Sequence, residues 1–146
     1  MFYKPSFLSS AALALGLMCL APSAQALCAA QPEHGNWRNV DADTRSITRA
    51  TLTFTCKDQV RNGVPWPPGP TWRIKLWGSC SPSDCEWDEV AAERRDDGWI
   101  FGRIDQGFAK REVWAKPYGS QLRIYIRTDF VDPNRSDYNS DDYFVN

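Results

Sequence analysis

The sequence predicts an all-β domain, a small up-and-down antiparallel β-barrel of about eight strands, and two observations lead to that prediction. Apolar and polar residues alternate with a period of two in several segments, which places one face of each strand in a core. Turn residues separate these segments, and none of them shows the apolar face of a helix. Strands without covering helices must protect their edges, so closure into a barrel is favoured, with a two-sheet β-sandwich as the alternative.

The alternation is clearest in segments 50–56, 71–76 and 121–130, where apolar residues occupy every second position except 128. Weaker strand candidates fill the intervals at 35–40, 85–94, 99–108, 109–116 and 137–146. Turn residues separate strands at 96–98, 117–120 and 132–134. Because most connections are too short to cross over a sheet, a meander order is favoured.

Residues 1–26 are predicted to be a cleavable signal peptide. They contain Lys4, then an apolar stretch from position 8 to 21, and then small residues at Ala24 and Ala26. The apolar stretch has about 14 residues, whereas a helix that spans a bilayer needs roughly 20. We therefore expect cleavage after Ala26 and export of residues 27–146 as a single domain without a membrane span, in the periplasm or outside the cell.

Four cysteines remain after signal cleavage, and an even number in an exported domain predicts two disulfides. Three connectivities are possible for Cys28, Cys56, Cys80 and Cys85. The preferred pairing joins Cys80 to Cys85, because four residues separate them and Pro82 turns the chain between them. That choice leaves Cys28 for Cys56.

Charge and residue types exclude several classes of function. The mature part has 16 basic against 18 acidic residues, which argues against a nucleic-acid partner. Its only histidine is His34, close to the chain start, so no base is evident for a serine or cysteine nucleophile. The cysteines lack C-x-x-C spacing, which argues against zinc. We therefore assign no catalytic residue, metal or cofactor from the sequence.

The segment Gly35-Asn36-Trp37-Arg38-Asn39 resembles the G-x-W opening of the calycins, the group of lipocalins and avidins. The resemblance implies an eight-stranded meander barrel in which Trp37 closes one end. It also implies that Asn39 is an interior polar contact for a ligand.

A second resemblance covers more of the chain, from Gly35 to Asn146. The pattern Trp77-Gly78-x-Cys80-x-Pro82-x-Asp84-Cys85-x-Trp87 is similar to a domain of uncharacterised exported bacterial proteins. This resemblance implies one compact unit and supplies no mechanism.

Two segments present aromatic side chains that are candidates for binding. Trp77 and Trp87 flank the short cysteine loop with Asp84, which forms either a rigid binding edge or a pair of rings packed across a hairpin. Trp66 lies in the proline-rich stretch 64–70, which is predicted to be extended. It either acts as a lid or docking ridge, or folds back to plug the barrel.

These observations together predict an exported, non-catalytic binding module for a small ligand or a protein partner. The alternatives are an exported hydrolase and an inhibitor of a partner enzyme. The candidate ligand-binding residues are Asn39, Trp66, Trp77, Asp84 and Trp87. The barrel interior discriminates between these functions, because a polar cavity favours a ligand carrier, whereas an interior filled by Leu52, Phe54, Ile74, Ile124 and Ile126 excludes one.

Overall fold

The computed structural model describes residues 28–146, so the predicted signal peptide 1–26 lies outside the described residues. Every regular element in this range is a β-strand, and no helix in it could span a membrane. The strands are β1 (Gly35–Asn39), β2 (Ile47–Phe54), β3 (Gln59–Arg61), β4 (Val64–Trp66), β5 (Trp72–Gly78), β6 (Cys85–Glu86), β7 (Val90–Arg94), β8 (Ile100–Asp105), β9 (Ala109–Tyr118), β10 (Gln121–Phe130) and β11 (Tyr138–Val145).

Eight of these strands close into one antiparallel barrel. Their order around the barrel is β1, β2, β5, β7, β8, β9, β10 and β11, and β11 pairs again with β1. Each barrel strand therefore lies beside the next barrel strand along the chain, with β3 and β4 in a separate hairpin and β6 paired only with β5. The predicted up-and-down barrel is confirmed, and the sandwich alternative is not adopted.

Inward side chains alternate with outward ones along every long strand, as the period-two pattern predicts. The inward residues fill the middle of the barrel with apolar side chains, which include Leu52, Ile74, Leu76, Ile100, Val113, Leu122, Ile124, Ile126 and Phe144. All of these are almost fully buried, and Phe54 packs against them at the edge of the core. The centre of the barrel is thus a packed core rather than a ligand cavity.

The two ends of the barrel differ. At one, which we call the plugged end, residues 28–34 contact the barrel, and Glu33 of this segment is almost fully buried. There the Trp37 indole N–H donates to the carbonyl oxygen of Glu33 at 3.0 Å, and Arg94 Nη1 donates to the buried Glu33 Oε1 at 2.8 Å. The Arg94 guanidinium also lies 5.3 Å from the centre of the Trp72 ring. The other, the loop end, is formed by the connections 40–46, 79–84, 106–108 and 131–137.

Both predicted disulfides are present, with Cα–Cα distances of 5.6 Å for Cys28–Cys56 and 5.5 Å for Cys80–Cys85. Cys28–Cys56 ties the plugging segment to the chain just beyond β2. Cys80–Cys85 closes the connection 79–84 at the loop end. The disulfides therefore constrain opposite ends of the barrel.

Within the stretch 64–70, predicted to be an extended loop, residues 64–66 form strand β4 instead. The longer segment 57–70 contains a hairpin of β3 and β4, which turns at Asn62 and Gly63 with φ angles of 51° and 77°. Asn-Gly favours the positive φ angles of a two-residue hairpin turn, which explains the fold of this stretch. Trp66 lies at the end of β4, with the Arg61 guanidinium 4.3 Å from the centre of its ring.

Candidate ligand-binding site

A pocket of about 350 Å³ opens at the loop end, and we call it the loop-end pocket. Its volume is within the roughly 300–1,000 Å³ typical of small-molecule sites. Its walls combine aromatic rings, polar side chains and the Cys80–Cys85 disulfide, and the residues that bear on its chemistry are Glu86, Trp87, Gln106, Phe108, Arg111 and Tyr138. The pocket lies above the packed core, where the inward positions change from apolar to polar.

Arg111 is the central polar residue of the loop-end pocket. On β9 it occupies the inward phase together with Ala109, Val113 and Ala115, and it is only 6% exposed. Its Nε and Nη1 atoms are buried and make no hydrogen bond within the described residues. No ion pair among residues 28–146 includes it either. A buried guanidinium without an acceptor is energetically unfavourable, so the position calls for a functional explanation.

Two aromatic rings contact the Arg111 guanidinium. Its central carbon lies 4.3 Å from the centre of the Trp87 ring and 5.6 Å from that of Phe108. Cation–π contacts of this kind stabilise the charge by about 0.5–2 kcal/mol, but they satisfy none of its N–H donors. The rings thus hold the guanidinium in place and leave its hydrogen-bonding capacity open.

Further polar atoms without partners lie beside Arg111. Six buried side-chain nitrogen or oxygen atoms of residues 28–146 lack a hydrogen bond, and four of them belong to Gln106, Arg111 and Thr128. Thr128 faces Arg111 directly across the β9–β10 ladder, and Gln106 lines the loop-end pocket. Unsatisfied hydrogen-bonding capacity is therefore concentrated at this end of the barrel.

Trp87 reaches the barrel interior because β5 ends in a glycine. A Cβ atom at Gly78 would lie 3.0 Å from the Trp87 indole nitrogen and 3.2 Å from its Cζ2 atom. Only a residue without a side chain leaves room for the ring at this inward position. The Trp87 amide donates to the carbonyl oxygen of Leu76 at 2.9 Å, which fixes the chain where β6 ends. Segment 85–94, predicted as one strand, is consequently divided into β6 and β7.

Trp87 is the one sequence-predicted site residue in the loop-end pocket. Trp77 lies on the outer face of β5. The centre of its ring is 4.8 Å from the central carbon of the Arg49 guanidinium and 5.3 Å from Lys75 Nζ. The two tryptophans therefore occupy opposite faces of the sheet, and the hypothesis that they pack against each other is wrong.

The other three predicted site residues lie elsewhere. The Asn39 side chain donates to the carbonyl oxygen of Ile47 at 2.8 Å and accepts from the Asp41 amide at 2.9 Å. Asp84 accepts a hydrogen bond of 2.7 Å from the Thr48 hydroxyl. Trp66 belongs to the β3–β4 hairpin, beyond the opposite end of the barrel. Asn39 and Asp84 thus organise the chain locally, and the structure does not bring the five predicted residues together.

The sequence interpretation missed Arg111, although its position contains a signal. On β9, small apolar residues occupy the inward positions, which are every second residue. Arg111 is the only charged residue at these positions. Charges on such strands normally lie on the outward phase, as Lys110 and Glu112 do. An arginine in phase with Val113 and Ala115 is the pattern that identifies a buried charge.

Glu86 is the acidic residue among those that line the loop-end pocket, but its exposed carboxylate lies on the outer face, where Glu86 is in register with Trp77. Its carboxylate pairs with Lys75, whose hydrogen bond and positive charge lower the pKa of Glu86 below its usual range. The group is therefore ionised at neutral pH. A glycosidase-type site requires two carboxyl groups, one of them protonated, and none of the described residues that line the pocket directs a carboxyl group into it.

A larger depression of about 980 Å³ lies at the plugged end, beside Trp72, Ala92 and Arg94. Its central cation already has hydrogen-bond acceptors, because Arg94 donates to Glu33, to the Gly98 carbonyl oxygen and to Gln31. None of its lining residues has a buried polar atom without a partner. The depression at the plugged end is larger, but of the two only the loop-end pocket has unpartnered buried polar atoms among its described lining residues, which makes it the candidate site.

One grouping of possible metal ligands occurs among residues 28–146, formed by Cys28, Cys56 and Asp58. The two sulfur atoms are bonded to each other, so neither is available as a thiolate ligand. The grouping is therefore a disulfide with a carboxylate beside it.

Comparison of the chain with protein-family models, with curated proteins and with solved structures found no match.

Proposed function

We propose that this protein is an exported, non-catalytic binding module whose loop-end pocket takes a small ligand or the end of a partner chain. The observation that supports this proposal is the group of unpartnered polar atoms around Arg111, above a core of apolar side chains. Keeping such atoms buried lowers stability unless a ligand supplies their partners. Sites that break the rules of core packing in this way are typical of functional positions.

Export is part of the same proposal. The first 26 residues have the composition of a signal peptide, and the mature part has two disulfides, which persist in oxidising compartments. The calycin resemblance agrees with an eight-stranded barrel, but the packed interior argues for binding at the mouth instead of the centre. The lack of a pair of carboxyl groups directed into the pocket, among the described residues that line it, argues against the hydrolase alternative.

The proposal is tested by recording ¹H–¹⁵N NMR spectra of the oxidised protein with a panel of sugars, amino acids, short peptides and aromatic acids and amides. A binder is expected to shift resonances of Gln106, Phe108, Arg111 and Tyr138, and to leave those of the plugged end in place.

A matched pair of variants on β11 makes the test specific. Ser140 lines the loop-end pocket, whereas the neighbouring Asn139 is exposed on the outer face. Ser140→Phe is expected to fill the pocket and abolish binding, and Asn139→Phe to leave it unchanged. A panel that shifts no loop-end resonance contradicts the proposed function.

A further inference from the structure

We propose that the group bound by Arg111 is a carboxylate, an inference that rests on the loop-end pocket being the binding site. The structure supplies the cation, its orientation and its surroundings, and each of these narrows the chemistry of the ligand.

The guanidinium of Arg111 retains donors on both of its usable edges. A carboxylate approaches arginine either side-on, through Nε and one terminal nitrogen, or end-on, through the two terminal nitrogens. Nε belongs to the first edge and Nη1 to the second, and both are unpartnered. A planar group with two acceptor oxygens is therefore the complementary shape.

The aromatic contacts restrict the direction of approach. Trp87 and Phe108 lie against the guanidinium within cation–π distance. A guanidinium that lies over aromatic rings still directs its N–H donors within its own plane. An acceptor in the guanidinium plane, with an apolar body against the rings, satisfies both conditions. An aromatic carboxylate has both properties.

The charge balance favours a single negative charge. Arg111 is the buried cation of the pocket, whereas Arg45 is exposed at its rim and the carboxylate of Glu86 lies on the outer face, paired with Lys75. A phosphate dianion at this depth leaves one charge uncompensated, which is costly away from water. The Thr128 hydroxyl opposite Arg111 offers one additional neutral hydrogen bond. A monoanion therefore matches the site better than phosphate does.

The probes are benzoate, its neutral isostere benzamide, and inorganic phosphate, titrated into the oxidised protein and followed by calorimetry and by the Arg111 Nε–H resonance. Benzoate is expected to bind and shift that resonance, and benzamide and phosphate are expected to bind at least about tenfold more weakly.

Arg111→Met is expected to abolish benzoate binding. Arg127 is an exposed arginine on β10, so Arg127→Met is expected to leave benzoate binding intact. If Arg111→Met does not fold, Thr128→Val tests the same site and is expected to weaken benzoate binding several-fold.

A carboxylate occurs in free small acids and at the C-termini of peptides. N-acetyl-Gly-Phe and its C-terminal amide distinguish these sources. Tighter binding of the peptide acid than of benzoate indicates a chain terminus, and the reverse order indicates a small acid. Either order of affinity supports the inference that Arg111 binds a carboxylate.

Equal binding of benzoate and benzamide, or tighter binding of phosphate, overturns the inference. A neutral sugar or amide that alone shifts the loop-end resonances overturns it as well, but leaves the proposed binding function standing. The absence of any loop-end response to every probe, charged or neutral, refutes the proposed function itself.

Discussion

Arg111 on β9 and Thr128 on β10 face each other directly across two paired strands, and both present buried polar atoms without partners to the barrel interior. Interior ladder pairs elsewhere on these strands are apolar, such as Val113 with Ile126 and Ala115 with Ile124. The change from apolar to polar pairs marks the boundary between the core that stabilises the barrel and the pocket that we propose binds a ligand.

The ligand-free protein is expected to gain stability when Arg111 is replaced by methionine. The substitution removes a buried charge that lacks an acceptor, and the lost cation–π contacts offset only part of the gain. We expect the free energy of unfolding to rise by about 1 kcal/mol in chemical denaturation. Arg127→Met on the outer face is expected to change it by less than about 1 kcal/mol. A large loss of stability in Arg111→Met contradicts the expected gain and shows that the guanidinium stabilises the barrel, in which case Thr128→Val tests the binding role.

The opposite result is expected at the plugged end. Glu33 is almost fully buried, and Arg94 is its salt-bridge partner. Arg94→Met leaves the buried carboxylate unpaired and is expected to lower the free energy of unfolding by about 2–4 kcal/mol. The adjacent Arg95 is exposed, so Arg95→Met serves as the control and is expected to cost less than about 1 kcal/mol. If the two substitutions lower the free energy of unfolding equally, the Glu33–Arg94 ion pair does not stabilise the plugged end in the expected way.

The disulfides are expected to contribute unequally. Cys28–Cys56 closes a loop with a sequence separation of 28, and Cys80–Cys85 one with a separation of 5. Chain entropy predicts a loss of about 3.6 kcal/mol when the first pair is replaced by serines and about 2 kcal/mol for the second. Urea denaturation of the two double variants gives both values. A larger loss of unfolding free energy on removal of Cys80–Cys85 contradicts this expectation. It shows that contacts in the native state, rather than loop entropy, determine how much each disulfide stabilises the protein.

The exposed pair of Arg123 and Asp141 predicts a local pH dependence. The hydrogen bond and charge of Arg123 lower the pKa of Asp141 in the folded protein. Stability from this pair is therefore present above the unfolded pKa of about 3.9 and is lost as the pH falls through the lower folded value. NMR titration of the Asp141 carboxyl group is expected to show the depressed pKa, and Arg123→Met to bring it back towards 3.9. The pair is mostly solvated, so its stabilisation is expected to stay below about 1 kcal/mol.

The barrel and its disulfides are predictable because they follow from local patterns. Period-two alternation fixes which face of each strand is buried, and the short separation of Cys80 and Cys85 makes their pairing favourable. The hairpin at Asn62 and Gly63 was also predictable in principle, but the surrounding prolines dominated the interpretation of that stretch. Local sequence chemistry thus accounts for most of the fold.

The pocket was not predictable to the same extent. Trp87 and Trp77 are equally aromatic in sequence, and only the break between β6 and β7 sends one inward and the other outward. The space for Trp87 depends on Gly78, which belongs to a different strand. Arg111 appears in the correct phase of β9, but its lack of an acceptor depends on residues distant in sequence. Contacts between strands, rather than patterns within them, therefore determine the site.

The pairing of β1 with β11 has a consequence for how the chain reaches this structure. Arg38 lies opposite Val145, so the seam joins the two strands that are farthest apart along the described chain. Closing such a long loop is entropically costly and slow compared with forming the intervening hairpins. Until the last strand is in place, β1 and β10 each expose an unpaired edge that can template association with another molecule. A folding intermediate is therefore most prone to aggregate before the pairing of β1 with β11 closes this seam.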